Sequence, residues 1–180
     1  MKNVLVLFAE GSEELEAITI VNILRRAGVV VTLAGLTDGP LSGARNIGIL
    51  PDAALDVVLH QDFDMVVLPG GQPGTDNLKA DARVIALLKR MAAQGKHVAA
   101  ICAAPTVLAE AGLLSGRHAT CYPGYLKDEP SVHLKDSAVV EDGQFITSRG
   151  PGTAMDFALA LAEKLAGVEV RRKVEASLVR

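Results

Sequence analysis

Unbroken apolar runs alternate along this chain with stretches in which apolar positions recur every three or four residues. The first pattern marks strands buried on both faces, and the second marks helices with one packed side. Val4–Ala9 is such a run, bounded by Gly11, and predicts a first buried strand. A helix follows, with Ser12 as its N-cap, acids at Glu13, Glu14 and Glu16 in its first turns, and Leu15, Ile18, Val21 and Leu24 along one side. It ends at Gly28, a residue suited to the position after a helix. Val29–Ala34 is the second strand, so the opening residues spell strand–helix–strand, the unit of a parallel sheet.

Gly35–Leu50 is rich in glycine and turn formers and reads as a small excursion, a hairpin. Further strands are predicted at Phe63–Leu68 and His97–Ile101. Helices follow at about Arg83–Ala93 and Thr106–Ala111. Residues 112–136 are less regular. Ala138–Val140 and Phe145–Thr147 flank a turn at Asp142-Gly143, and two final helices cover about 153–165 and 169–177. The pattern is an open, mostly parallel α/β sheet with helices on both faces, in a single domain spanning residues 1–180. Such folds bind ligands at the carboxyl ends of their strands.

Composition agrees. The chain is 49% hydrophobic but only 3% aromatic, so its core is built from Ala, Val, Leu and Ile. A net charge of −3 and the lack of a basic stripe interleaved with aromatics argue against nucleic acid or an anionic membrane as partner. The first apolar run is too short to span a bilayer and has no signal-cleavage pattern. Two cysteines without a secretion signal imply a reducing cytoplasm and no structural disulfide.

Three strand ends carry the chemistry. Cys102 stands where His97–Ile101 turns into a helix, among Ala100, Ala103 and Ala104, with Pro105 suited to the first turn. Unpaired amides and the dipole at a helix mouth favour thiolate, the nucleophilic form. Small neighbours fit a tight strand-to-helix elbow, although a free cysteine is also often a buried structural residue. Gly70-Gly71 lets backbone approach a ligand, and its N–H groups with that of Ala103 form a candidate oxyanion hole. The acids after the first strand read mainly as a solvated helix start. Glu16 leans toward the sheet edge, where a carboxyl held near a sulfur would have a raised pKa and could shuttle a proton. His60, His97, His118 and His133 have no metal-ligand spacing, and none is placed as a base. The N–H groups of Ser148–Thr153 read as a strand end and helix start rather than an anion site.

Several segments together resemble the ThiJ/PfpI superfamily, and within it the DJ-one branch of glyoxalase III-like and deglycase proteins. They are GSEELEA at Gly11–Ala17, RRAG at Arg25–Gly28, PDAAL at Pro51–Leu55, LPGG at Leu68–Gly71, AAICAAP at Ala99–Pro105 and TSRGPGTAMDFALA at Thr147–Ala160. The resemblance implies a flavodoxin-like (Rossmann-like) three-layer sandwich and a homodimer. The Glu13–Ala27 helix, more apolar than one packed face requires, is compatible with such a partner. It further implies that Cys102 is a nucleophile readily oxidised to sulfinate, that Glu16 is a protonated carboxyl bonded to its sulfur, and that amides near Gly71 and Ala103 line an oxyanion pocket. Arg26 and Arg45 match arginines near the pocket or dimer interface. The activity implied is conversion of glyoxal, methylglyoxal or their glycated adducts without metal or other cofactor, linked to oxidative and carbonyl stress. Redox sensing with holdase chaperone action is the alternative, and a peptidase or amidotransferase is weaker for want of a histidine base. Tyr122 stands where many members carry a histidine, and a phenol is a poorer proton shuttle at neutral pH. Its neighbour Cys121 is a candidate to resolve a Cys102 sulfenate as a disulfide.

Overall fold

The apolar runs pair as the buried strands of a parallel sheet. The computed structural model describes residues 1–180. In chain order the elements are β1 (Asn3–Phe8), α1 (Glu14–Arg26), β2 (Val30–Gly35), β3 (Leu41–Ser42), β4 (Gly48–Ile49), β5 (Ala53–Ala54), α2 (Leu55–Val58), β6 (Met65–Leu68), α3 (Gly74–Ala80), α4 (Ala82–Ala93) and β7 (His97–Ile101). The second half runs α5 (Pro105–Glu110), β8 (His118–Ala119), β9 (His133–Leu134), β10 (Val139–Asp142), β11 (Phe145–Ser148), α6 (Ala154–Ala166) and α7 (Val168–Ser177).

Seven strands form one sheet in the order β10-β11-β7-β6-β1-β2-β5. All neighbours are parallel except the β10–β11 hairpin. Each face is covered, as parallel sheets require. Val4, Val6 and Phe8 of β1 pack toward α1, α6 and α7. Leu5 and Leu7, on the alternate positions, pack toward α2, α3, α4 and α5. The result is the flavodoxin-like three-layer sandwich expected. From β1 the chain steps outward to β2 and then returns to the other side of β1 as β6. The loops after β1 and β6 therefore part at one crevice, the usual ligand position in open α/β sheets. The loop after β7 joins them there.

Several local expectations change. Ser12 is not the N-cap of α1. Its hydroxyl accepts the Ala9 N–H at 3.0 Å and closes the turn after β1, while Glu13 occupies the cap position without a side-chain bond. Nor are the acids solvated: Glu13, Glu14 and Glu16 are buried, while Leu15 and Ile18 are exposed. The helix is turned so that its acids face the sheet edge. Its end agrees with the sequence, with Gly28 at φ +75° just beyond the cap. The excursion after β2 is the antiparallel β3–β4 hairpin. Asp142 pairs with Phe145, so the β10–β11 turn is Gly143-Gln144 rather than Asp142-Gly143.

Candidate active site

Cys102 ends β7 with a left-handed backbone, φ +65°. A non-glycine residue held there costs about 1–3 kcal/mol and persists only where its surroundings fix it. Here the Cys102 N–H donates to the Ser148 carbonyl at 3.0 Å, and its own carbonyl accepts the Tyr122 N–H at 2.8 Å. Backbone from two other segments thus pins the elbow. A third presses on it from β6: a methyl added at Gly70 would stand 2.6 Å from the Cys102 Cβ. Gly71, at φ +84°, lies so close to the first loop that a methyl there would stand 2.4 Å from the Glu13 nitrogen. The Gly70-Gly71 pair is therefore the point where the three strand ends meet.

Glu16 is fully buried beneath this junction. Its Oε2 accepts the Gly70 N–H at 2.7 Å. Its Oε1 has no regular hydrogen-bond partner, and the carboxyl meets the Cys102 thiol closely enough for each to alter the other's proton affinity. Burial raises the Glu16 pKa to about 7, Gly70 N–H and the thiol oppose the rise, and the charge of Glu13 adds to it. Burial also pushes Cys102 up, to about 12, with the Glu16 charge behind it and the amides of Gly71 and Ala103 pulling down. The expected lowering by the helix mouth is not met. Helix α5 has six residues and starts three positions beyond the sulfur. The amides acting on the sulfur belong to Gly71 and Ala103, and burial beside a carboxylate outweighs them. The Glu16 contribution lasts only while that carboxyl is ionised. Above about pH 7 the two groups thus hold one proton between them. On sulfur it leaves a carboxylate bonded to Gly70, and on Glu16 it leaves a thiolate facing two amides.

Above the pair opens a cavity of about 240 Å³ lined by Cys102, Gly71, Ala103, Arg45, Glu13 and Tyr122, with Gln72, Tyr125 and Pro151 at its edges. Arg45 and Tyr122 both line this cavity. Arg26 lies away from this cavity, its Nε donating to Asn22 Oδ1 at 2.8 Å on an exposed groove of α1. Cys121 does not line this cavity. Its thiol donates to the Tyr125 carbonyl at 3.0 Å, and its side chain packs with the cluster on the other sheet face. Both cysteines are free, and no contact joins their thiols. None of the four histidines lines the cavity. The N–H groups of Arg149 and Gly150 are taken by the Thr153 hydroxyl, at 3.2 and 3.1 Å.

Glu14, Gln72, Tyr125 and Pro151 were not foreseen at the site. Glu14 holds the cavity's rim: its Oε1 accepts the N–H groups of Arg45 and Ile47 at 2.9 and 3.3 Å. Only the density of acids around Glu16 hinted at this in the sequence. The other three arrive through long-range packing, and no local pattern marks them.

Known proteins share this sequence pattern and fold. The sequence profile of the DJ-1/PfpI family matches residues 2–164. Protein dj-1beta of Drosophila melanogaster is 45% identical over 99% of this chain and 97% of its own length. Its crystal structure superimposes with a TM-score of 0.95 at 46% identity, covering 99% of this chain and 97% of that one. A Caenorhabditis elegans relative, glutathione-independent glyoxalase DJR-1.2, is 39% identical over 89% of this chain and 86% of its own length. The chain belongs to the DJ-1/PfpI family, which includes proteins named as glyoxalases. No helix is long and apolar enough to cross a membrane.

Proposed function

We propose that this protein is a cysteine-dependent glyoxalase or deglycase that needs no cofactor and acts on glyoxal, methylglyoxal or their adducts. The observation that carries this reading is the Glu16 carboxyl buried against the Cys102 thiol at the floor of an open cavity. The name of the nematode relative supports it. With methylglyoxal, the sulfur attacks the aldehyde carbon while its proton passes to Glu16, and Glu16 hands that proton to the new alkoxide, giving a hemithioacetal and leaving Glu16 a carboxylate. Glu16, as carboxylate, then removes the proton from that carbon and returns it to the neighbouring carbon, through an enediol, to give the thioester of lactate. Water hydrolyses the thioester to lactate and restores the thiol. A carboxyl poised at about 7 is suited to both halves of the transfer. The amides of Gly71 and Ala103 hold the sulfur and the oxygen that forms beside it. Arg45 and Tyr122 flank the substrate. The test is lactate formation from methylglyoxal, expected in the wild type and lost in Cys102→Ser. Full activity in that variant would sink the reading.

The same amides favour a second reading. Donors already aimed at the sulfur also suit the oxygens of a sulfinate, so Cys102 oxidation could signal stress and switch on holdase action. Gain of client protection on oxidation, in a protein with no aldehyde turnover, would select it. A homodimer through α1 is part of the proposal, motivated by Leu15 and Ile18, 52% and 42% exposed. Sedimentation showing a monomer at micromolar concentration would remove it. Action in the cytoplasm is also part of the proposal.

A further inference from the structure

Beside the Cys102 cavity lies a second one, of about 250 Å³, and Tyr122 and Tyr125 line both. The two rings meet edge to face, 6.1 Å apart. This partition is fastened to the nucleophile, because the Tyr122 N–H bonds the Cys102 carbonyl and the Tyr125 N–H bonds the Tyr122 carbonyl at 3.1 Å. The Tyr122 ring lies against Gly150, where an added methyl would stand 3.3 Å from its Cδ2. Beyond the partition the second cavity carries Lys135, Arg149 and Asp136. Arg149 is paired with Asp136, whose side chain is 80% exposed. Lys135 makes no ion pair. The compartment therefore has one cation in excess, and its arginine already holds a carboxylate.

A three-carbon aldehyde has no use for this space. We propose that the second cavity binds the carboxylate tail of a larger 2-oxoaldehyde whose carbonyl end sits at Cys102. The phenols of Tyr122 and Tyr125 flank the middle of the chain, while Lys135 and Arg149 hold its end. Arg149 is the less available of the two cations, since an incoming carboxylate must share it with Asp136. Lys135 is the specificity-determining residue. Water-exposed charge pairs are weak, so the expected preference is modest.

The substrate class rests on the glyoxalase reading, so two measurements are needed. The first compares 4,5-dioxopentanoate with 2-oxopentanal, which has the same carbon skeleton without the carboxylate. The wild type is expected to favour the charged aldehyde by about two- to fivefold in kcat/KM, through KM. That ratio should fall toward one in Lys135→Gln and recover in Lys135→Arg. A wild-type ratio near one, or a ratio unmoved by Lys135→Gln, overturns the proposal. The second measurement is independent of turnover. Calorimetric titration of the Cys102→Ser protein with 2-hydroxyglutarate and 2-hydroxypentanoate, the corresponding product acids, should show tighter binding of the diacid, lost in the Cys102→Ser/Lys135→Gln protein. Absent turnover with a Lys135-dependent diacid preference sinks the glyoxalase reading alone. Equal binding of the two acids sinks the subsite.

Discussion

Cys102 and Cys121 are each 8% exposed, and each thiol is pushed above its ordinary range, to about 12 and about 11. Their surroundings differ in kind. Burial does the work at Cys121, opposed only by the charge of Arg149, and the thiol ends in a bond to the Tyr125 carbonyl. At Cys102 burial acts together with a carboxyl that can take the proton and two amides that favour the ion. Limited exposure and a raised pKa are common to both, so neither marks the reactive one. What separates them is a partner able to accept a proton across a hydrogen bond, together with a left-handed backbone that turns the sulfur toward the crevice.

The sharpest way to break this comparison is chemical. Brief treatment of the folded protein with iodoacetamide at pH 8, followed by peptide mapping, should place the label on Cys102 and leave Cys121 unmodified. The label is expected to favour Cys102, since only its sulfur has a neighbouring carboxyl able to receive its proton. Equal labelling would mean that the elbow confers no reactivity. Next in size is the carboxyl itself. Glu16→Gln keeps an acceptor for the Gly70 N–H but cannot carry a proton. Turnover of methylglyoxal should fall by about 10²- to 10⁴-fold. The wild-type rate should rise through an inflection near pH 7, where Glu16 becomes a base, and the residual rate of the variant should lack it. A variant that keeps the inflection would assign the titration to another group.

The strands of this site were legible in the sequence, and much of its lining was not. β1, β2, β6 and β7 are buried on both faces, so they read as apolar runs, and the Cys102 elbow followed from the small residues after β7. Helix α1 was found by its acids and its closing glycine, yet its orientation was misread. Leu15 and Ile18 were placed on the packed side because an apolar residue is normally buried, whereas the crevice draws Glu13, Glu14 and Glu16 inward. α3 escaped because GTDNLKA carries only one large apolar residue. Tyr125 reaches the cavity through a turn stapled to Cys102 across the fold, a pairing that periodicity does not encode. The direction of the Cys102 shift was misjudged for a related reason: the cost of burying an ion depends on neighbours far away in sequence.

Stability offers a third test, and its sign is fixed by Glu16. The folded-state pKa of about 7 lies above the ordinary 4.5, so the folded protein keeps a proton that the unfolded chain releases. The corresponding stability is fully present below about pH 4.5 and is lost as pH rises through 7. The difference amounts to about 3 kcal/mol. Glu16→Gln has no such proton to lose. Urea unfolding should therefore show the variant gaining on the wild type between pH 5 and 8, by up to about 3 kcal/mol. Parallel stability profiles for the two proteins would show that Glu16 ionises in the folded state as freely as in the unfolded one. A gain in stability accompanied by a loss of turnover is the behaviour expected of a site strained for chemistry.

The smallest effect belongs to the other cysteine. Cys121→Ala removes a weak S–H donor from the Tyr125 carbonyl and one buried sulfur from the packing under α5. The two losses together should cost about 1 kcal/mol. The cost should change by no more than about 0.2 kcal/mol between pH 5 and pH 8, because a thiol pushed up to about 11 stays protonated in the folded chain and an unfolded cysteine is only partly ionised at pH 8. The Tyr122 N–H still reaches the Cys102 carbonyl in this variant, so the elbow keeps its φ of +65°. Urea midpoints at the two pH values measure the first expectation, and the alkylation rate of Cys102 measures the second. A larger pH dependence of the cost, or a changed Cys102 rate, would mean that the two thiols communicate through the Tyr122–Tyr125 turn.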